Sequence, residues 1–282
     1  MEFPTGFSVQ QRGRGMLDLL DYGFMRNALL LSVLASVSCG VTGTLITVNR
    51  MSSFAGSIAH ASFGGLGLAY LLGIDPMIGA AVFALGSGLG TGYLTGGKKL
   101  GSNTAMAVLW AAGMAAGLVF IKMSGTYTAD LMSWLFGSLM SLSQNDIILT
   151  GVLGVISVSV VMLFYREFLG ISYDLEFTRL QGVPVELVKG LFLVLAALTV
   201  IVLMKVAGLI MVIALLTLPA TIAGYFSRSL KQMMLIAGML SMFFSLSGLF
   251  LSWQLNLPSG PVIILIAAVA YFTVAGFMRR KS

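Results

Sequence analysis

The sequence predicts an all-α, polytopic membrane protein, and three observations carry that expectation. Of 282 residues, 58% are hydrophobic and 34 more are glycine, while only 9% carry a charge. A soluble domain has about 25% charged residues, so 16 basic and 10 acidic side chains would leave a soluble globule of this size largely uncovered. The apolar residues also fall into long runs, most of them close to the length that crosses a hydrocarbon core of about 30 Å. The charges sit almost wholly between those runs. This composition excludes a soluble enzyme, a secreted disulfide scaffold and a disordered chain. The net charge of +6 forms no dense patch and speaks for basic loops at a membrane surface, not for nucleic-acid binding.

Residues 1–23 are polar and mixed, with Arg12 and Arg14, and read as an N-terminal interfacial segment. The first apolar run, 24–48, closes at Arg50 and the polar stretch 51–57. It has no small-x-small cleavage site after it and reads as a retained span. The next run is 58–73, ended by Gly73-Ile74-Asp75-Pro76. Then come 77–94, ended by Gly96-Gly97-Lys98-Lys99, and 104–121, ended by Lys122. Residues 127–142 are apolar but interrupted by Asp130, Ser133, Gly137 and Ser138. They are short for a span and suit a re-entrant or tilted helix as well as a crossing one. A clear span covers 147–165, and 166–186 is the most polar segment, outside the hydrocarbon. Residues 187–225 are too long for one crossing and divide into two, with the turn marked by Lys205 and Gly208. After the loop at Arg228 and Lys231 come 234–251 and 262–277, and Arg279-Arg280-Lys281 follow. The expectation is one transmembrane domain over 24–278, of about nine helices and between eight and ten.

The basic clusters Arg166/Arg179/Lys189, Arg228/Lys231 and Arg279/Arg280/Lys281 fall on one side, the cytoplasmic one by the positive-inside bias. Nine crossings then place the N-terminus outside, and ten place it inside. Small residues at Gly64-Gly65-x-Gly67 and Gly86-x-Gly88-x-Gly90, extended by Ala55, Gly56 and Ala59, suit close helix–helix approach. Pro219, inside an otherwise helical stretch, removes an amide donor and marks a kink or hinge.

The chain has no G-x-x-x-x-G-K-[ST] phosphate loop, no H-E-x-x-H and no Cys/His cluster. It is expected to be no enzyme, to hold no tightly bound cofactor and to hydrolyse no ATP itself. Its one cysteine, Cys39, lies in an apolar run and reads as an inert buried thiol. The one histidine, His60, is placed near the start of a span, on the face that carries Gly56 and Gly64 at i−4 and i+4. An imidazole in a membrane helix is either a hydrogen-bonding residue across a helix interface or a cation contact. One imidazole holds no divalent ion alone; a second copy meeting at a two-fold axis, Ser57, or the backbone at Gly56 would have to supplement it.

The polar segment 172–184 reads as one short helix. Ser172 or Asp174 caps it, Asp174 and Glu176 lie at the positive end of its dipole, and Gly182 and Pro184 stop it. Leu175, Phe177 and Leu180 give it an apolar face, to lie against its own bundle or to dock in a groove of a soluble partner.

Several stretches, taken in order, resemble one known family. Residues 51–65, MSSFAGSIAHASFGG, resemble the histidine-bearing signature of the permease subunits of metal-ion ABC importers. Phe136-Gly137-Ser138 resembles that family's middle motif, and 173–184 resembles its cytoplasmic coupling segment. Residues 206–208 with LTLPA at 216–220, and then Leu257-Pro258-Ser259-Gly260-Pro261, resemble its last two signatures. The resemblance implies a permease bundle like that of the vitamin B12 importers, the type II ABC importers, in a bacterial inner membrane. It implies a homodimer with a pathway at its interface, lined by His60, Ser57 and Gly56. It also implies two cytoplasmic ATPase subunits, coupled through Asp174, Glu176, Arg179, Gly182 and Pro184, and an extracytoplasmic metal-binding protein. The cargo would be zinc, manganese or iron in transient contact, with ATP bound only by the partner subunits. One departure stands out: the commoner pattern is Asp-x-x-Ser-His, whereas Gly56 and Ala59 occupy the Asp and Ser positions here.

Two other readings are weighed against this one. An iron–siderophore or cobalamin permease would be a longer chain without the histidine signature. An ion-coupled secondary transporter would carry charged residues within its spans, and here only Lys205 and Asp130 come near that.

Overall fold

In hydrocarbon every backbone amide must find its partner within the protein, and the described part of the chain meets this with helices alone. The computed structural model describes residues 23–96, 102–125, 134–137 and 144–279. The expected N-terminal segment 1–23, apart from Gly23, most of 127–142, and Arg280 and Lys281 lie outside the described residues. In order, the helices are α1 (Gly23–Val48), α2 (Ser52–Leu72), α3 (Pro76–Gly96), α4 (Ser102–Ser124) and α5 (Gln144–Leu163). The short α6 (Tyr165–Tyr173) and α7 (Leu175–Leu180) follow, then α8 (Val185–Ala207), α9 (Leu209–Phe226), α10 (Leu230–Leu255) and α11 (Ser259–Arg279). Among the described residues, eight of these are long and apolar enough to cross a membrane, and α3 adds a shorter apolar stretch, Pro76–Gly92.

The least apolar of the eight, α2, is also the most buried. Every residue from Phe54 to Gly67 is buried. The polar groups of α2 tolerate this because they bond at home: Ser57 Oγ donates to Ser53 O (2.8 Å) and Ser62 Oγ to Ile58 O (2.7 Å). This back-bonding also explains why α2 begins at Ser52, where the sequence reading begins the span at 58. His60 therefore lies two turns inside the helix instead of near its start. At the other end Gly73, at φ +69°, donates to the carbonyls of Ala69 and Tyr70 and ends the helix.

Glycines hold α2 against both neighbours. A Cβ on Gly64 would meet Gly113 O of α4 at 2.9 Å, and one on Gly67 would meet Gly117 O at 2.5 Å. On the other side Gly65 of α2 and Gly79 of α3 each press on the other's carbonyl. A Cβ on Gly40 of α1 would meet Gly238 Cα of α10 at 2.7 Å. The second glycine group expected to pack behaves differently. Side chains added at Gly86 or Gly90 would meet nothing within 4 Å, and one at Gly88 would make only ordinary contacts.

The contacts also order the helices by direction. Gly56 meets Trp110, Gly64 meets Gly113 and Gly67 meets Gly117, so α2 and α4 run parallel. Leu34 meets Gly151 and Ser38 meets Gly154, so α1 and α5 run parallel too. At one end Asn49 Nδ2, just past α1, donates to Ser172 Oγ of α6 at 3.1 Å. The turn at Arg50 thus shares an end of the bundle with α6 and α7, while α4 finishes and α5 starts at the opposite end.

Overpacking the glycine seam should be costly, by roughly 1–3 kcal/mol or more. Gly113→Leu is expected to lower the melting temperature and the monodisperse yield of the solubilised chain. Gly86→Ala, in open space, is expected to leave both unchanged or raised. Fluorescence-detected size exclusion after a heat step reads both variants.

Candidate functional site

His60 is buried, at 9% exposure, between α2 and α4. Its ring stacks on the indole of Trp110, with centroids 4.4 Å apart and planes 20° from parallel. Its Nδ1 lies 3.4 Å from Met114 Sδ. Gly113, between those two residues, lets α4 come in this close: a Cβ there would meet His60 O and Ala61 Cα at 2.6 Å. The volume above Gly56 is already taken. A Cβ on Gly56 would run into Trp110 Cζ3 and would stand 3.0 Å from Ile213 Cδ1 of α9.

Ser57 does not face this cluster with a free hydroxyl. Its hydrogen is shared between Ser53 O (2.8 Å) and Met106 O (2.9 Å), so it ties α2 to α4. The face expected to carry Gly56, His60 and Gly64 does meet one neighbour, α4. Trp110 and Met114 were not singled out by the sequence reading. The signal that finds them is the i, i+3, i+4, i+7 spacing of Trp110, Gly113, Met114 and Gly117 on one face of α4. Among the described residues no three His, Cys, Asp or Glu side chains gather as a metal cluster.

The coupling segment is built differently from the single helix expected over 172–184. Ser172 and Tyr173 finish α6, and α7 spans only 175–180. Asp174 makes the break: its backbone is extended (φ −148°, ψ 102°) and its side chain accepts from Phe177 N at 3.0 Å. Gly182 turns the chain at φ +81°, and Pro184 caps α8. Of the expected apolar face, Phe177 and Leu180 point outward, at 58% and 85% exposure. The buried residue is Thr178, packed on Gly170, where a Cβ would stand 2.7 Å from Thr178 Oγ1. Glu176 is exposed. Arg179 Nη2 bonds Glu186 Oε1 at 2.8 Å, tying the hairpin to α8. Both partners are exposed, so the pair orients the hairpin and adds at most about 1 kcal/mol.

At the opposite end three glycines from three distant motifs meet. Gly208 (φ +84°) breaks the chain between α8 and α9, one position after Ala207, while Lys205 stays within α8. Gly208 abuts Gly137 (φ +76°), whose own Cβ would meet Ala207 O at 2.8 Å. Gly260, at the start of α11, leaves room for Phe136 O, which a Cβ would approach to 2.7 Å. Trp134 Nε1 donates to Tyr70 OH at 3.2 Å and anchors the segment 134–137 to the end of α2. Pro219 is buried in the middle of α9, which continues past it to Phe226.

Comparison with known proteins agrees with this architecture. The ABC 3 transport family matches residues 21–278. An uncharacterized membrane protein of Synechocystis is 40% identical over 264 residues, 94% of each chain. The manganese transport system membrane protein MntC of Listeria innocua is 30% identical over 254 residues, 90% of each chain. The solved structure of PsaBC from Streptococcus pneumoniae, in complex with Fab, superposes with a TM-score of 0.83 at 28% identity, covering 92% of this chain and 93% of that one.

The hairpin geometry has a direct readout, because Cys39 is the chain's one cysteine and is buried. With Cys39 replaced by Ala, Leu180→Cys is expected to react with a hydrophilic maleimide at least tenfold faster than Thr178→Cys. Equal rates would contradict the packing of Thr178 on Gly170.

Proposed function

The chain belongs to the ABC 3 transport family, and we propose that it is the permease subunit of an ATP-driven importer of divalent metal ions of the zinc, manganese and iron class. It is a multi-pass protein of the bacterial inner membrane with the helical architecture of type II ABC-importer permeases. In this reading two copies form the pathway between them, each engages one cytoplasmic ATPase, and an extracytoplasmic protein delivers the ion. The name of the Listeria relative, a manganese transport system membrane protein, supports the cargo class.

The observation that carries the transport reading is the α6–α7 hairpin. It stands at one end of the bundle with Tyr173, Phe177 and Leu180 exposed, at 77%, 58% and 85%. Three large exposed apolar side chains on so small an element suit a docking surface. In this reading Asp174 fixes the hairpin's shape, Gly182 and Pro184 fix its exit, and Arg179, through Glu186, carries its motion into α8. Pro219 serves as a hinge in α9, and Gly56, Ser57 and His60 lie along the ion's route, with His60 as the contact.

Two measurements test this. The purified chain is expected to hydrolyse no ATP until its ATPase subunit is added. Replacing Glu176 and Arg179 together by Ala should cut ATPase co-purification at least fivefold while the bundle stays monodisperse. In proteoliposomes holding the assembled complex, His60→Ala should lower metal uptake tenfold or more. Normal uptake by His60→Gln, which keeps a hydrogen bond but ligates metal poorly, would remove His60 from the pathway.

A further inference from the structure

We propose that Trp110 and Met114 of α4 belong to the same cation contact as His60, with Trp110 as its specificity-determining residue, and that the contact selects borderline ions such as Zn²⁺ over hard ones such as Mn²⁺. The proposal rests on the import reading given above and adds residues and a selectivity to it.

The argument starts from volume. Trp110 Cζ3 lies where a side chain at position 56 would begin, and Ile213 of α9 closes the other side. Position 56 is one helical turn before His60 on the same face, the place from which an acidic side chain would reach the imidazole. The indole fills that place, so α2 offers no carboxylate beside His60. What stands next to the ring instead is a thioether, 3.4 Å from Nδ1.

That N···S separation fits one ion between the two atoms. At 3.4 Å the imidazole nitrogen and the thioether sulfur are close enough to touch the same ion. Imidazole with a soft thioether suits Zn²⁺ better than a hard ion. Mn²⁺ prefers six oxygen donors, which an imidazole, a thioether and an indole face do not supply. Two donors bind an ion loosely, as a pathway requires. The indole also sets exposure: it stacks on one face of the ring, His60 is 9% exposed and Trp110 is 37% exposed. Removing the indole would open that face and the volume above Gly56.

Because His60 is the chain's one histidine, its reactivity reads the contact directly. The full-length chain, carrying a non-histidine tag, is placed in lipid nanodiscs and treated with diethyl pyrocarbonate. Carbethoxylation of the His60 peptide is then followed by mass spectrometry with Zn²⁺, with Mn²⁺ or without metal. Zn²⁺ is expected to slow the wild-type reaction at least fivefold and Mn²⁺ less than twofold. Met114→Leu should lose most of the Zn²⁺ protection. Trp110→Ala should speed the metal-free reaction at least fivefold, and Trp110→Phe, which keeps a ring, should speed it less. Gly56→Asp with Trp110→Ala should gain protection by Mn²⁺. Equal protection of the wild type by both ions, protection by neither, or a Trp110→Ala rate equal to wild type would overturn the proposal. Uptake of the two ions by the complex with its ATPase and binding protein separates the readings. Uptake without the protection pattern sinks this contact alone. The pattern without any uptake sinks the import reading and leaves the contact standing.

Discussion

Close backbone approach between α2 and α4 is the constraint on which the rest of the molecule depends. Lipid is as apolar as leucine, so no hydrophobic effect drives two membrane helices together. Packing must do it, and packing improves as the axes close in. Gly64 and Gly67 on one helix and Gly113 and Gly117 on the other remove the Cβ atoms that would hold the backbones apart. The seam then accepts a helix with three buried hydroxyl or imidazole groups, Ser57, His60 and Ser62. It also sets the height at which Trp110 and Met114 stand beside His60.

The two ends of the bundle are organised by different means. At the end bearing the hairpin, polar side chains shape exposed backbone: Asp174 caps α7, Arg179 reaches Glu186, and Asn49 bonds Ser172. Lys231 at the start of α10 sits over the Tyr165 ring, 4.7 Å from its centroid, which links that helix to the base of α6. At the opposite end, among the described residues, the segment 134–137, the break at Gly208 and the start of α11 meet largely through backbone atoms, with the Trp134–Tyr70 hydrogen bond beside them. Helix α8 thus joins the two ends: it leaves the hairpin at Val185, and Ala207 and Gly208 at its far end touch Gly137, beside Gly260.

Much of the fold was legible because lipid imposes one solution on long apolar runs. The breaks at Gly73, Gly182 and Gly208 were read from these glycines with Pro76, Pro184 and Lys205 beside them, and each glycine has a positive φ. The start of α2 was misread because hydropathy counts Ser52, Ser53 and Ser57 as polar, whereas Ser57 bonds back into its own helix. The coupling helix was read too long because Asp174 is both the end of α6 and the cap of α7, a double use that a capping rule treats as one start. Its apolar residues could lie against the bundle or face a partner; in the structure Phe177 and Leu180 are exposed and the small Thr178 packs inward against Gly170. For the candidate site, the sequence pointed to α2 and the structure added α4. No rule about a single helix reveals that a tryptophan fifty-odd positions away occupies the volume above Gly56. The meeting of Gly137, Gly208 and Gly260 was invisible for the same reason, since each motif is short and only the chain path brings them together.

The parallel pairing of α2 with α4 has a consequence for biogenesis. Helix α2 ends at Leu72, and the last turn of the helix that covers His60 ends at Ser124, about 50 residues later in synthesis. At about 5–20 residues per second, α2 waits several seconds before its partner exists. During that interval α3, which follows directly and brings Gly79 against Gly65, covers a different side of α2. The side that carries Ser57 and His60 stays uncovered by its partner until α4 is made.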